Sequence, residues 1–121
     1  MADYILIVED DPDVRGALCE ALEEEIDVVC VEHGEAALRY LGSHPVPCVI
    51  LLDLMMPVMD GWTFRAAVLR DPKLAKIPVI VMTAAGAERA ATVEATYVVP
   101  KPLDLGKVVN IVERYCHTRL R

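Results

Sequence analysis

Short apolar runs alternate with amphipathic stretches along the whole chain, and each apolar run has the length of a strand. Because the runs are rich in branched residues and contain few polar positions, they predict strands that are buried on both faces. The five predicted strands are Tyr4–Val8, Val28–Val31, Cys48–Leu52, Ile77–Met82 and Tyr97–Val99. Strands that are apolar throughout require helices on both faces of the sheet.

The stretches between the runs predict five helices. Pro12 and Asp13 open the first helix, in which apolar residues recur at helical spacing, and Asp11 or Asp13 can cap its start. The later helices are predicted over Glu35–Leu41, from Gly61 to about Arg70, over Ala87–Ala95, and after Pro102 with Leu105, Val108, Val109, Val112 and Cys116 on one face. The fourth of these is rich in alanine, but its apolar stripe is poor.

Strands that alternate with helices predict an α/β fold with a doubly wound, five-stranded parallel sheet. The chain order alone leaves the strand order open, and we expect the flavodoxin-like order 2-1-3-4-5. Ligands of such sheets bind at the carboxyl ends of the strands, where the first and third strands meet. The 121 residues, of which 55% are hydrophobic, suit a single domain over residues 1–121.

The carboxyl ends of the predicted strands carry side chains that packing alone does not explain. The first strand leads into Glu9 and Asp10, the third ends at Asp53, the fourth ends at Thr83, and the fifth leads to Lys101. A parallel sheet brings all of these ends to one edge. We therefore expect an acidic cluster, a hydroxyl group and a lysine to share one site.

The chemistry of these side chains indicates phosphoryl transfer at a metal site. Carboxylates gathered in a small space repel one another unless a cation is present, and Mg²⁺ takes oxygen ligands from a few carboxylates and from phosphate. An aspartate can attack phosphorus as a nucleophile. Lys101 and Mg²⁺ would neutralise the phosphoryl charge, and Thr83 would donate a hydrogen bond to it.

Four motifs carry a resemblance to a known family, and they span essentially the whole chain. They are Ile5–Asp10 (ILIVED), Leu51–Gly61 (LLDLMMPVMDG), Ile77–Ala84 (IPVIVMTA) and Pro100–Pro102 (PKP). In combination they resemble the receiver domain of two-component response regulators, as in chemotaxis regulators. The resemblance implies a signalling phosphoacceptor rather than an enzyme, with a histidine kinase or phosphotransfer protein as donor and an unknown protein as output partner.

The resemblance also implies a role for each site residue. Asp53 would accept the phosphoryl group, and Thr83 and Lys101 would bind it. The Mg²⁺ ligands would be Glu9, Asp10, Asp53 and the backbone carbonyl of Met55.

Two departures from the family pattern concern the output. The family usually has Tyr or Phe three residues before the lysine, where it forms a switch with the threonine, but this chain has Val98 there and Tyr97 one place earlier. A shift of one place in a strand turns a side chain to the opposite face. The stretch from Thr83 to Lys101 is also short by roughly one helical turn. We expect a short or shifted fourth helix, with movement transmitted through the loop after Thr83.

Three other functions are weighed against this one. A pseudo-receiver, an interaction module that is not phosphorylated, would fit the two departures. A phosphohydrolase of the haloacid-dehalogenase type would need a second Asp where Met55 stands, and a nucleotide site would need glycines between Glu9 and Asp13.

Charge and composition exclude further classes. The net charge of −7 argues against direct nucleic-acid binding. Asp3 interrupts any apolar start, and the apolar runs are far shorter than the roughly 20 residues that span a bilayer. We therefore expect a cytoplasmic protein without membrane attachment. The cysteines are predicted to be structural thiols rather than disulfides or zinc ligands; they are Cys19, Cys30, Cys48 and Cys116.

Overall fold

The computed structural model describes residues 4–84 and 86–116, and its centre is a parallel sheet of five strands. The strands are β1 (Tyr4–Val8), β2 (Asp27–Val31), β3 (Val49–Asp53), β4 (Val79–Thr83) and β5 (Tyr97–Pro100). They pair in the order β2-β1-β3-β4-β5. The expected α/β fold and its flavodoxin-like strand order are therefore confirmed.

Five helices connect the strands in the described part of the chain. They are α1 (Pro12–Leu22), α2 (Gly34–Leu41), α3 (Gly61–Arg70), α4 (Ala87–Ala90) and α5 (Leu105–Val112). The carboxylates of Asp11, Asp60 and Asp104 accept hydrogen bonds from backbone N–H groups in the first turns of α1, α3 and α5. These caps satisfy N–H groups that have no partner within the helix.

The fourth helix is shorter than the pattern of residues 87–95 predicts. It ends at Ala90, and the chain then turns, with the Thr92 N–H bonded to the Arg89 carbonyl and the Val93 N–H bonded to the Ala90 carbonyl. Ala90 and Val93 are buried, whereas their neighbours at 88, 89, 91, 92 and 94 are exposed. A longer helix is not favoured because so few of its side chains would pack against the sheet.

Each face of the sheet has its own apolar core, because successive strand residues point to opposite faces. On one face α1 and α5 pack against Ile5, Ile7 and Leu51. On the other face α2 and α3 pack against Leu6 and Leu52, with Phe64, the only Phe of the chain, fully buried there. The two cores hold the strands rigidly, which fixes the positions of the residues at their carboxyl ends.

The prediction of structural thiols is wrong. Cys19 of α1 forms a disulfide with Cys30 of β2, and Cys48, just before β3, forms one with Cys116, which follows α5. All four residues belong to the core on the α1/α5 face. Their positions along the chain did not reveal the pairs, because the partners meet only when α1 and α5 pack against the sheet.

Among residues 4–84 and 86–116, no helix combines the length and the apolar character that crossing a membrane requires.

Candidate functional site

The acidic residues of the site come together because β1 and β3 are neighbours in the sheet. The register pairs Val8 with Leu52, so the next residues along the two strands, Glu9 and Asp53, meet at the carboxyl edge. One carboxylate oxygen from each of Glu9, Asp10 and Asp53 lies within 4.8 Å of the others. Glu9 is 0% exposed and Asp53 is 3% exposed, so two of the three carboxylates are buried.

Lys101 reaches this acidic cluster from β5. Its Nζ lies 2.7 Å from Glu9 Oε1 and 3.5 Å from Asp53 Oδ1. The backbone N–H of Lys101 donates to the Thr83 carbonyl at 3.0 Å, which fixes the residue beside the end of β4. Burial by itself would lower the pKa of Lys101, but the hydrogen bond to Glu9 and the charge of Asp53 raise it. The ammonium group therefore remains charged at neutral pH.

Asp53 binds its proton more tightly than an ordinary aspartate does. Burial and the neighbouring Glu9 carboxylate raise its pKa to about 7, and the charge of Lys101 only partly opposes them. Three carboxylates share the site with one ammonium among the described residues. The site therefore favours an additional positive charge, and its oxygen-only ligands suit a hard divalent cation such as Mg²⁺.

The remaining predicted site residues lie at the same edge. Met82 is the β4 partner of Asp53, so Thr83 lies one residue beyond it on the neighbouring strand, where it is 2% exposed. The backbone N–H of Met55 donates to Asp53 Oδ1 at 3.2 Å, while the Met55 side chain is half exposed. The structure thus brings all the predicted site residues to one edge of the sheet, and their individual roles stay predictions.

Two supporting residues were not found from the sequence. Arg15 Nη1 donates to the backbone carbonyl of Glu9 at 2.8 Å and to that of Asp10 at 3.3 Å, so it holds the loop that presents both carboxylates. At Gly61, an added Cβ would lie 2.7 Å from the Asp53 carbonyl oxygen. The sequence marked Gly61 only as the start of a helix, although it also lets α3 begin directly against the end of β3.

The predicted change of face at β5 is confirmed. Val98 is 46% exposed, whereas the neighbouring Tyr97 packs on the α1/α5 face. The Tyr97 hydroxyl accepts a hydrogen bond from Arg114 Nη1 at 2.6 Å, and its ring contacts that of Tyr115 edge to face. In the described structure, the position three residues before Lys101 therefore presents no aromatic ring toward Thr83.

A family model described as the response regulator receiver domain matches residues 5–113. The chain belongs to the response regulator receiver family. Receiver domains are signalling modules of two-component systems and are generally not enzymes. The resemblance seen in the sequence motifs is thus confirmed over nearly the whole chain.

Curated relatives of this receiver differ greatly in length. An uncharacterized 14.6 kDa protein of Leptolyngbya boryana is 33% identical over 116 residues, which cover 93% of this chain and 88% of the relative. The sensor histidine kinase TmoS of Ectopseudomonas mendocina is 39% identical over 80 residues, which cover 66% of this chain but only 8% of the kinase. Receiver sequences like this one therefore occur both in small proteins and as parts of much larger ones.

Solved structures have the same fold. The receiver domain of a signal transduction histidine kinase from Syntrophus aciditrophicus superposes with a TM-score of 0.86 and is 32% identical, over 94% of this chain and 89% of that chain. The receiver domain of the sensor histidine kinase PA1611 from Pseudomonas aeruginosa, solved with a magnesium ion coordinated in its active-site cleft, has a TM-score of 0.79. At 24% identity, over 95% of this chain and 98% of that chain, the second comparison supports the fold alone.

Proposed function

We propose that this receiver accepts a phosphoryl group on Asp53 in a reaction that depends on Mg²⁺, and that the phosphorylated form signals through contact with another protein. The observation that carries the proposal is the environment of Asp53. Its carboxylate is buried and lies 3.5 Å from the Lys101 ammonium. One of its oxygens is within 4.8 Å of a carboxylate oxygen of Glu9 and of one of Asp10.

The proposed reaction is a displacement at phosphorus. A carboxylate oxygen of Asp53 forms a bond to the phosphorus atom, and the bond between phosphorus and the donor breaks, leaving its electron pair on the donor. The Lys101 ammonium would form an ion pair with the new phosphoryl oxygens. The Thr83 hydroxyl would donate a hydrogen bond to one of them. Such transfers depend mainly on positioning and charge stabilisation, which a preformed and partly buried site supplies.

Glu9, Asp10, Asp53 and the Met55 carbonyl are the groups that would hold Mg²⁺. The bound ion would neutralise carboxylate and phosphoryl charge in the site. The ionised form of Asp53 is the nucleophile, and its pKa of about 7 in the absence of a cation means that a nearby positive charge would increase the reactive fraction at neutral pH.

The partners and the location are part of the proposal. We expect the phosphodonor to be a histidine kinase or a phosphotransfer protein in the cytoplasm, since receivers like this one occur within sensor histidine kinases such as TmoS. The output partner is a protein that the sequence does not identify. Beyond assisting its own phosphorylation and dephosphorylation, the chain is expected to catalyse no reaction.

A pseudo-receiver is the second candidate, and two observations favour it. Val98 is exposed where the family has an aromatic residue, and α4 contains four residues. Both features concern transmission of the signal, whereas the residues that we propose for phosphoryl acceptance lie together at one edge of the sheet. We therefore prefer the phosphorylated receiver.

The deciding experiment is intact-mass analysis after incubation with acetyl phosphate, with and without Mg²⁺. We expect one added phosphoryl group in the presence of Mg²⁺, and none when the ion is removed with EDTA. Asp53→Asn should give no adduct, because its amide is not a nucleophile toward phosphorus.

Asp71→Asn is the matched control, since Asp71 lies at the exposed end of α3, away from the carboxyl edge of the sheet. It should be phosphorylated like the unaltered protein. The pseudo-receiver would be favoured by two results together. The unaltered protein would gain no mass with Mg²⁺ and acetyl phosphate, and its amide chemical shifts would not change when beryllofluoride is added.

A further inference from the structure

The segment that follows β4 is held in place by helix α3. Its helix, α4, has only four residues, and a helix of that length is not stable by itself in water. Ala90 and Val93 are its buried apolar anchors in the described structure. Further tethers are therefore needed, and the side chains of α3 provide them.

The first tether is a cluster that we call the Trp62 clasp, formed by Trp62, Arg89 and Thr92. The indole Nε1–H of Trp62 donates to Thr92 Oγ1 at 2.7 Å, and the Arg89 guanidinium lies 4.9 Å from the centre of the indole ring. Thr92 Oγ1 in turn donates to the Arg89 carbonyl at 2.7 Å. The clasp thus binds both ends of the turn at residues 89–92 to the start of α3.

The second tether lies one helical turn further along α3. Arg65 is buried, and its Nε donates to the Glu94 carbonyl at 2.6 Å. This contact fixes the end of the segment beside β5, where the Thr96 N–H also donates to the Val79 carbonyl. The Arg65 contact is enclosed, whereas the clasp lies at the surface, so the segment can pivot about Arg65 when the clasp opens.

Both sides of the clasp connect closely to the phosphoacceptor. Trp62 directly follows Gly61, which has no room for a Cβ against the backbone of Asp53. On the other side, Arg89 is six residues from Thr83 at the end of β4. A cleft of about 320 Å³ lies between the clasp and the loop after Asp53, and it is lined by Leu54, Met55, Met56, Asp60, Trp62 and Arg89. The Arg89 side chain can shift into this space.

We propose that the Trp62 clasp is the conformational switch of this receiver. The clasp is closed in the unphosphorylated form. When Asp53 is phosphorylated, Thr83 and the loop after it move toward the phosphoryl group and draw α4 along, so Arg89 leaves the indole ring and the Trp62–Thr92 hydrogen bond breaks. This inference rests on the proposed phosphorylation of Asp53 and adds the route by which it reaches the surface.

The arrangement of β5 explains why this chain needs such a route. Tyr97 is held on the α1/α5 face by Arg114 and Tyr115, and the side chain at position 98 is an exposed valine. Tyr97 pairs with Ile80, three residues before Thr83 on β4, and Val98 has no ring. The Trp62 indole is the aromatic group that α3 places against the segment after Thr83.

The chain contains a single tryptophan, so its ¹H–¹⁵N spectrum has one indole resonance and the switch can be observed directly. We expect this resonance to shift when Mg²⁺ and beryllofluoride are added, because the hydrogen bond to Thr92 is lost. In Thr92→Val the resonance should already lie near the activated position without beryllofluoride.

Kinetics supply a measurement that a merely structural contact would not change. Because the clasp stabilises the inactive form, Thr92→Val should be phosphorylated by acetyl phosphate about fivefold faster than the unaltered protein. The substitution removes both hydrogen bonds of Thr92 Oγ1, the one from Trp62 and the one to the Arg89 carbonyl. Thr63→Val makes the same chemical change at an exposed threonine of α3, the helix that carries Trp62, and it should match the unaltered protein in both the spectrum and the rate.

The two proposals fail in different ways. If the unaltered protein shows no phosphoryl adduct by mass, the proposed function itself is wrong. If the adduct forms but the indole resonance stays in place, or if Thr92→Val is phosphorylated no faster than Thr63→Val, the clasp is only a structural contact and the inference is overturned.

Discussion

Asp53 combines a functional position with an unfavourable environment for its charge. Burial and the Glu9 carboxylate raise its pKa to about 7, whereas an aspartate in an unfolded chain has a pKa of about 3.9. The folded protein therefore binds this proton more tightly than the unfolded chain does. The resulting stability is complete below pH of about 4 and is lost as the pH rises through about 7.

Asp53→Asn tests this linkage, because the amide stays neutral at every pH. In EDTA, we expect the variant to gain stability relative to the unaltered protein as the pH rises, by about 1–3 kcal/mol between pH 5 and pH 8. Urea unfolding at both pH values measures the difference. Mg²⁺ should stabilise the unaltered protein at pH 8 more than the variant, and an advantage that does not change with pH would refute the raised pKa.

The residues of the site were predictable because their positions follow from strand ends. Once Asp53 and the pair at Glu9 and Asp10 are assigned to strand ends, a parallel sheet brings them together. Their individual contacts were not predictable. Glu9 accepts the closest hydrogen bond of Lys101, at 2.7 Å, and no spacing in the sequence indicates which carboxylate is nearest to a lysine 92 residues away.

Among the helices, α3 depends most visibly on close packing at its first residue. A Cβ at Gly61 would lie 2.7 Å from both the Asp53 carbonyl oxygen and the Leu54 Cα, and these backbone atoms cannot move without disturbing β3. By contrast, a Cβ at Gly16, within α1, would meet no atom within 4 Å. Gly61 and Gly16 therefore have opposite roles.

Replacing each glycine by alanine should separate these roles. Gly61→Ala is expected to lower stability by about 1–3 kcal/mol through overpacking, and to slow phosphorylation because Asp53 is displaced. Gly16→Ala, the control, should raise stability by about 0.5–1 kcal/mol because alanine restricts the unfolded chain. Thermal unfolding and acetyl phosphate labelling measure both effects. Equal behaviour of the two variants would show that Gly61 does not fix α3 against β3.

Element prediction succeeded where an apolar pattern matches the packing. The limits of β1 and α3 agree with the sequence pattern, since buried runs and a capped amphipathic helix leave little choice. For α4 the short helix expected from the spacing of Thr83 and Lys101 is confirmed. The extent over residues 87–95 was wrong, because alanines favour a helix locally but offer too little surface to pack. Side chains of another element, Trp62 and Arg65, hold that segment instead.

Considered as a whole molecule, the protein is cross-linked on only one side of its sheet. Both disulfides belong to the α1/α5 face, with a sequence separation of 11 residues for Cys19–Cys30 and 68 residues for Cys48–Cys116. No disulfide ties α2, α3 or α4 to the sheet within the described residues. The face that carries the Trp62 clasp is therefore held by packing and hydrogen bonds and not by a cross-link.

Loss of the long-range disulfide should have the larger effect on stability. In the chain-entropy account, Cys48→Ala with Cys116→Ala should cost about 4 kcal/mol, and Cys19→Ala with Cys30→Ala about 3 kcal/mol. Urea unfolding of the double variants, beside the unaltered protein with and without a reducing agent, measures these costs. Four thiols that react with a thiol reagent in the unfolded, unreduced protein would show that the pairs are not bonded.

The sequence by itself determined the alternation of strands and helices, the edge at which the functional side chains lie, and the family. These features depend on local periodicity and on residues at strand ends, both of which can be read along the chain. Only the tertiary structure decided the cysteine pairs, the lysine's contact with Glu9 and the Trp62 clasp. Each of these joins residues on different elements, so each depends on how helices pack against the sheet, which local pattern does not specify.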